Sequence, residues 1–247
     1  MIDFSFPVLI TGASGGLGTA LVEEFLKCGI RNLVCQYRSE ASELKEILLK
    51  YELDISTRMV KADLTNEQEV ETLRKHVETH FGCLWGVINL AGASSNGLSW
   101  KLSKNDFDSV FEANLGSTFL TTRAFLPAMR EKKVGRIVNI SSVVAHLGAP
   151  GASHYAAAKA AIEGFTRSVS LEVAGRGITV NCIALGYFDR GLINHVKKEI
   201  LDQIIEKTPL RRIGRANEIV PLLLYLLSEN SGFMTGQVLH LDGGLCL

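Results

Sequence analysis

The sequence predicts an α/β fold: one doubly wound parallel sheet of seven strands with helices on both faces. Three observations predict it. Short β-branched or apolar runs alternate along the chain with longer stretches of helical period, the pattern of successive βα units. The 247 residues are 47% hydrophobic and 21% charged, enough to bury a sizeable core, which excludes a disordered or fibrous chain. No Pro/Ser-rich linker, charge run or fixed-period repeat divides them, so residues 1–247 read as one domain.

The elements follow in order. An apolar run near Val8–Ile10 ends on a glycine cluster and opens an apolar-periodic helix over Gly16–Cys28. Asn32–Gln36 and Thr57–Lys61 are the next two strands, separated by a helix over Ser42–Tyr51. A charged helix over Glu67–Phe81 leads to a strand at Trp85–Asn89, and a long helical stretch over Lys104–Lys132 to one at Arg136–Ile140. Tyr155–Ala174 is helical and feeds the strand Thr179–Ile183. Helices over Asn194–Lys207 and Ala216–Ser228 precede the last strand, Val238–Leu241. The excursion over residues 186–215 is long for a connection and reads as a mobile substrate-binding segment.

Charge and cysteine usage narrow the partners. The 26 basic and 26 acidic side chains cancel, leaving no overall field to hold nucleic acid or an anionic membrane. The amino terminus carries no basic region followed by a long apolar run, and Val220–Leu227 is too short to span a bilayer, so a cytoplasmic protein is expected. Five cysteines at irregular spacing, with no C-x-x-C, fit reduced thiols and predict neither a disulfide framework nor a bound metal.

Thr11-Gly12-Ala13-Ser14-Gly15-Gly16-Leu17-Gly18 stands directly after the first strand and runs into a helix. Glycines at 12, 16 and 18 permit a tight turn and close backbone approach, and amides at a helix start favour a pyrophosphate, so the unit reads as a Rossmann-like dinucleotide site. The second strand ends Cys35-Gln36-Tyr37-Arg38-Ser39, without the carboxylate that an NAD site offers the ribose. Arg38 either pairs with the 2′-phosphate of NADP or is a solvated loop residue for which Glu40 and Glu43 compete. Ala62-Asp63-Leu64 and Asn89-Leu90-Ala91-Gly92 follow the third and fourth strands, at the sheet edge where such folds bind ligands.

Tyr155 and Lys159, four apart at a helix start, share one face. An ammonium beside a phenol favours the phenolate, which gives the pair a use in acid–base chemistry. Ser141 and Ser142 end the fifth strand, where a hydroxyl either polarises a carbonyl or caps the chain. Asn114, a poor helix former inside a helix, either bends it or holds a water. His76 and His80 are i, i+4 but lack a third metal ligand nearby and read as a polar helix face.

In combination these motifs resemble the short-chain dehydrogenase/reductase family from Val8 to Asp242-Gly243-Gly244, and its β-ketoacyl-acyl carrier protein reductases above all. The resemblance rests on Thr11-Gly12-x-x-x-Gly16-x-Gly18, Asn89-x-Ala91-Gly92, Asn114, Asn139-Ile140-Ser141-Ser142 and Tyr155-Ala156-Ala157-Ala158-Lys159, in family order. It implies NADPH-dependent reduction of a 3-oxoacyl thioester, with Tyr155 as proton donor and Ser142, selected over Ser141 by family spacing, polarising the carbonyl. Lys159 would bind the nicotinamide ribose and lower the tyrosine pKa, and Asn114 would hold a relay water. Gly12, Ser14, Gly16, Leu17, Gly18, Arg38, Asp63, Leu64, Asn89, Ala91, Gly92, Tyr155, Lys159, Ile183 and Gly186 would line the dinucleotide.

Departures from the family pattern are Leu185 in place of a proline, Arg190 in place of a threonine, Gly15 in place of an arginine and Leu90 in place of an asparagine. The resemblance further implies that Lys133 and Arg176 meet an acidic carrier protein near the cleft, and that the chain is a homotetramer or homodimer. Enoyl reductases of similar fold have a wider tyrosine-to-lysine spacing. Two alternatives stay open: a reductase or dehydrogenase of another ketone/alcohol pair, such as a polyketide, sugar or steroid, and a catalytically idle dinucleotide-binding subunit.

Overall fold

A strand buried on both faces needs apolar side chains in both directions, and β1 (Val8–Ile10) supplies them. Val8 and Ile10 enter one core and Leu9 the other. The structure, a computed structural model, describes residues 6–191, 193 and 196–247. Its sheet also contains β2 (Leu33–Tyr37), β3 (Met59–Lys61), β4 (Gly86–Asn89), β5 (Gly135–Ser142), β6 (Ile178–Leu185) and β7 (Val238–Leu241). All seven are parallel, in the order β3-β2-β1-β4-β5-β6-β7.

Helices α1 (Gly16–Lys27), α2 (Ser42–Lys50) and α10 (Val220–Leu227) close one face through Leu21, Phe25, Leu44, Leu48, Leu223 and Leu227. On the other face α4 (Glu67–Phe81), α6 (Ser117–Lys132) and α8 (Ser153–Val173) contribute Leu73, Val77, Phe125, Met129 and Val169. The order reverses between β1 and β4, so the helices that follow these two strands, α1 and α6, pack on opposite faces and leave a crevice at the carboxyl edge.

Three elements differ from the sequence reading. Asp54 accepts a hydrogen bond from the Ser56 amide at 2.9 Å, and this cap starts a helical turn, α3 (Ile55–Arg58), that shortens the expected third strand to Met59–Lys61. The long helix over 104–132 is broken into α5 (Lys104–Phe111), a π-helical turn (Glu112–Gly116) and α6. Helix α9 is described over Lys198–Lys207, and the expected start at positions 194 and 195 lies outside the described residues. Short helical turns also form at Val144–Leu147 (α7) and at Ala216–Glu218 ahead of α10. No helix among the described residues is long and apolar enough to cross a membrane.

Candidate active site

The glycine turn is fixed by backbone. Gly12 has φ +65°, and a Cβ there would lie 2.9 Å from Ala91 Cα. A Cβ on Gly18 would stand 2.3 Å from Gly12 O, so α1 can start here only without a side chain at that position. Gly16 packs against Gly191, where an added Cβ would meet the amide nitrogen at 3.0 Å. The N-cap of α1 carries no capping side chain and its first turn no acid, so among the described residues no side chain competes for the amides at this helix start, where an anion is favoured. Ser14 and Leu17 are half-buried on the same turn.

Two residues that the sequence left without a role hold this cradle. Thr11 Oγ1 accepts the amides of Leu90 and Ala91 at 3.0 Å each, tying the loop after β4 to the turn after β1. Gln36, buried in β2, accepts the Gly12 amide through Oε1 at 2.8 Å and donates through Nε2 to Ala62 O at 2.6 Å. A lone amide in an otherwise apolar strand was the available signal.

The expected dinucleotide residues divide into those at the crevice and those turned into the core. Arg38 is exposed, and among the described residues it forms no ion pair; it lies close enough to Asp63 to help hold that carboxyl low, after the larger effect of the Thr65 amide. Glu40 does not compete for it, because its carboxylate accepts from the Ala41 and Ser42 amides and the Ser42 hydroxyl. Leu64 and Ile183 are buried in the two cores. Asn89 donates to Thr122 Oγ1 and Asn139 Oδ1, a brace across the sheet. Gly186 ends β6, where a Cβ would meet Asp242 Cα at 2.7 Å.

The four reactive residues come together at the carboxyl edge. Lys159 Nζ sits 5.7 Å from the centre of the Tyr155 ring and donates to Ile140 O at 2.9 Å. Burial pushes the Tyr155 phenol up to about 12, against a hydrogen bond with Ser142 that lowers it. The contact that lowers it is Ser142. Burial also brings the lysine down to about 8. Ser141 faces away, donating to Lys159 O at 3.1 Å and to Glu163 Oε1 at 2.8 Å, which leaves Ser142 as the hydroxyl on the phenol.

Asn114 sits in the π-helical turn. Its Nδ2 donates to Ala93 O at 2.7 Å and Val110 O at 2.8 Å, while its Oδ1 is buried without a protein partner. A Cβ on Gly92 would lie 2.5 Å from that Oδ1 and 3.4 Å from Lys159 Nζ, so both atoms flank one point that a side chain would fill. A buried acceptor next to an ammonium suits a bridging water.

The basic pair is placed differently from expectation. Lys133 precedes β5 and Arg176 precedes β6, so both lie at the amino edge of the sheet, opposite Ser142. The eight residues of β5 put them roughly 23 Å away along the strand. Arg136 is no part of a basic surface, because it is buried 5.0 Å over the Trp85 ring and donates to Ser228 O. His76 is engaged by Thr57 O at 2.7 Å.

A family model described as enoyl-(acyl carrier protein) reductase matches residues 12–246. The chain is 34% identical over 248 residues to a 3-oxoacyl-[acyl-carrier-protein] reductase of Rickettsia typhi (strain ATCC VR-144 / Wilmington), covering 100% of both chains. It is 34% identical over 239 residues to nodulation protein G of Rhizobium sp. (strain N33), covering 97% of this chain and 96% of that one. Among solved structures, a putative gluconate dehydrogenase from Agrobacterium tumefaciens superposes with a TM-score of 0.92 at 26% identity, over 100% of this chain and 99% of the other.

Proposed function

The chain belongs to the short-chain dehydrogenase/reductase family, an NAD(P)-dependent oxidoreductase family, and from that premise we propose that it reduces a 3-oxoacyl thioester to the 3-hydroxyacyl product with NADPH. The observation that carries the reading is the meeting of Ser142, Tyr155, Lys159 and the Asn114 carbonyl oxygen at the sheet edge beside the glycine turn. Relatives named 3-oxoacyl-[acyl-carrier-protein] reductase at 34–35% identity support the substrate class.

The cradle fits a nicotinamide dinucleotide: bare glycines at 12 and 18, uncapped amides at the start of α1, and Arg38 free at the end of β2 for a 2′-phosphate. When bound, that group supplies the hydride. The chain's own residues handle the proton and the geometry. Ser142 donates a hydrogen bond to the ketone oxygen and orients it toward Tyr155, whose phenol gives up its proton to the same oxygen. Lys159 would hold the nicotinamide ribose and favour the phenolate left behind. Asn114 Oδ1 holds the water through which Lys159 draws a replacement proton. The four-residue spacing from Tyr155 to Lys159 favours ketone over enoyl reduction, despite the description of the matched family model.

Residues 186–215 bind the acyl portion in this reading, with Tyr187 close enough to Tyr155 to raise its pKa. Exposed Phe119 and Leu171, on α6 and α8, are the faces we assign to a homotetramer or homodimer. Free cysteines at 28, 35, 83, 182 and 246 agree with a cytoplasmic assignment. A second reading, oxidation or reduction of a sugar acid or another alcohol/ketone pair, is favoured by the gluconate dehydrogenase neighbour.

The deciding experiment follows NADPH absorbance with a short 3-oxoacyl thioester, beside NADH and beside gluconate with the oxidised cofactors. Turnover of the thioester, faster with NADPH, supports the proposal. Turnover of gluconate alone moves the assignment to the second reading, and cofactor binding without any turnover points to an idle subunit.

A further inference from the structure

Behind the reactive edge, β7 and the turn after it bring three metal-ligating groups together. Atoms of His240, Asp242 and Cys246 lie within 4.8 Å of one another, with His240 Nδ1 3.7 Å from Asp242 Oδ2. Asp242 is largely buried and its orientation is fixed, since Oδ1 accepts the Gly244 amide at 2.9 Å and Oδ2 the Cys246 amide at 3.0 Å. A second imidazole stands over the first: the His146 ring, on α7, is centred 4.5 Å from that of His240.

His146 Nε2 meets Glu163 Oε1 at 2.8 Å, and Glu163 is buried in α8. A buried carboxylate on one imidazole nitrogen is the arrangement that orients a metal-binding histidine, leaving Nδ1 as the ligand. The alternative account, a turn cap, explains the Asp242 contacts, including its hydrogen bond with the Cys246 thiol, but not two imidazoles and an orienting carboxylate beside them.

From this geometry we propose that His240, Asp242 and Cys246 form a zinc site, with His146 as its fourth donor. The donor set of nitrogen, carboxylate oxygen and thiolate sulfur suits Zn²⁺, which takes tetrahedral ligands about 2.0–2.3 Å away and therefore about 3.3–3.7 Å from one another. The His240–Asp242 spacing already meets this, and closing the widest gap among His240, Asp242 and Cys246 needs a shift of about 1 Å in the turn after β7. Binding releases the Cys246 thiol proton to solvent as the sulfur–zinc bond forms. The site would pin the carboxyl-terminal turn beneath the end of β6, since the Gly186 amide donates to Leu241 O at 3.0 Å and Gly186 lies against Asp242.

The test is metal binding by the full chain, read without activity. Purified protein is titrated with Zn²⁺ against a chromophoric chelator, and with Co²⁺ for its thiolate charge-transfer absorption. We expect one metal per chain, affinity at least about tenfold weaker in Cys246→Ser and in His240→Gln, and wild-type binding in the exposed-thiol control Cys28→Ser. The cobalt band should vanish in Cys246→Ser. Absence of binding in the wild type, or binding that neither substitution weakens, overturns the site. Unchanged affinity in His146→Gln overturns the fourth-donor assignment. A cobalt band in the wild type supports the thiolate ligand even where a variant fails to fold.

Discussion

The glycine cradle and the segment over 186–215 border the same crevice and are built on opposite principles. In the cradle, backbone meets backbone: a Cβ on Gly12 or Gly18 would strike main-chain atoms at 2.9 or 2.3 Å, and buried Gln36 locks the turn to two strands. In the segment, α9 buries none of its residues, and Ile200 and Leu210 are 49% and 61% exposed. A few contacts anchor it, among them the bridge between Phe188 and Gly214 and the packing of Gly191 on Gly16. A cofactor shared by a whole family can be held by atoms that no substitution changes. A substrate that differs between relatives has to be met by exposed side chains that can change at little cost in stability.

The proposed chemistry sits at the seam, and breaking it is expected to give the largest effect. Tyr155→Phe should lower kcat by about 10²–10⁴-fold while dinucleotide affinity, measured by fluorescence titration, stays within a few-fold. A comparable loss of affinity would mean that the phenol holds the cofactor and is not the proton donor.

Next comes the contrast itself. Gly18→Ala should destabilise the protein by about 1–3 kcal/mol, because the new methyl meets rigid backbone, and thermal melting should fall by several degrees. Ile200→Ala on α9 should change stability by less than about 0.5 kcal/mol, yet shift KM for the acyl substrate. Equal melting temperatures for the two variants would remove the distinction drawn above.

Protonation separates the two buried bases of the site. Burial holds Lys159 down at about 8 and Tyr155 up at about 12, so the lysine is the group that titrates in an accessible range. It is cationic below that value and loses its proton as pH rises through it, so kcat/KM for reduction should fall about tenfold between about pH 8 and about pH 9 to 9.5. In Lys159→Met the profile should be flat at a lower level. A wild-type profile unchanged over this range would show that the ammonium has no part in the rate. A smaller effect is expected from Arg38→Ser, which should cut the NADPH-over-NADH preference by about tenfold or less, since its guanidinium is exposed and unsupported by an arginine at Gly15.

How far the sequence foretold these features follows the same divide. The positions of the strands along the chain, the glycine turn and the Tyr155–Lys159 face were legible because each is a local pattern: an apolar run, a backbone requirement, a helical spacing. Asn114 was legible as a poor helix former, but the π-helical turn that aims its Oδ1 was not, since its Nδ2 is held not only by the Val110 carbonyl one turn back but also by Ala93 O, which packing brings from 21 residues away. Gln36 and the grouping of His146 with His240 were not legible, because their partners lie far along the chain. The burial that raises the Tyr155 phenol was not legible either, because it is a tertiary property that spacing along a helix does not report.

The smallest expected effect concerns the carrier. Lys133 and Arg176 matched a family pattern in sequence, yet stand at the amino edge of β5 and β6, across the sheet from Ser142. A carrier docked there would have to span the roughly 23 Å length of β5 to reach the cleft of the same chain. Both residues are exposed, so the double substitution Lys133→Glu with Arg176→Glu should leave melting temperature and turnover of a free thioester unchanged. It should raise KM for the carrier-linked substrate by about two- to fivefold at low salt, an effect that fades as ionic strength rises. An equal rise for free and carrier-linked substrates would mean that the charge reversal acts on the fold, and no rise for either would remove both residues from carrier recognition, leaving α9 and the exposed side chains around Leu210 as the surface on which such selectivity has to be sought.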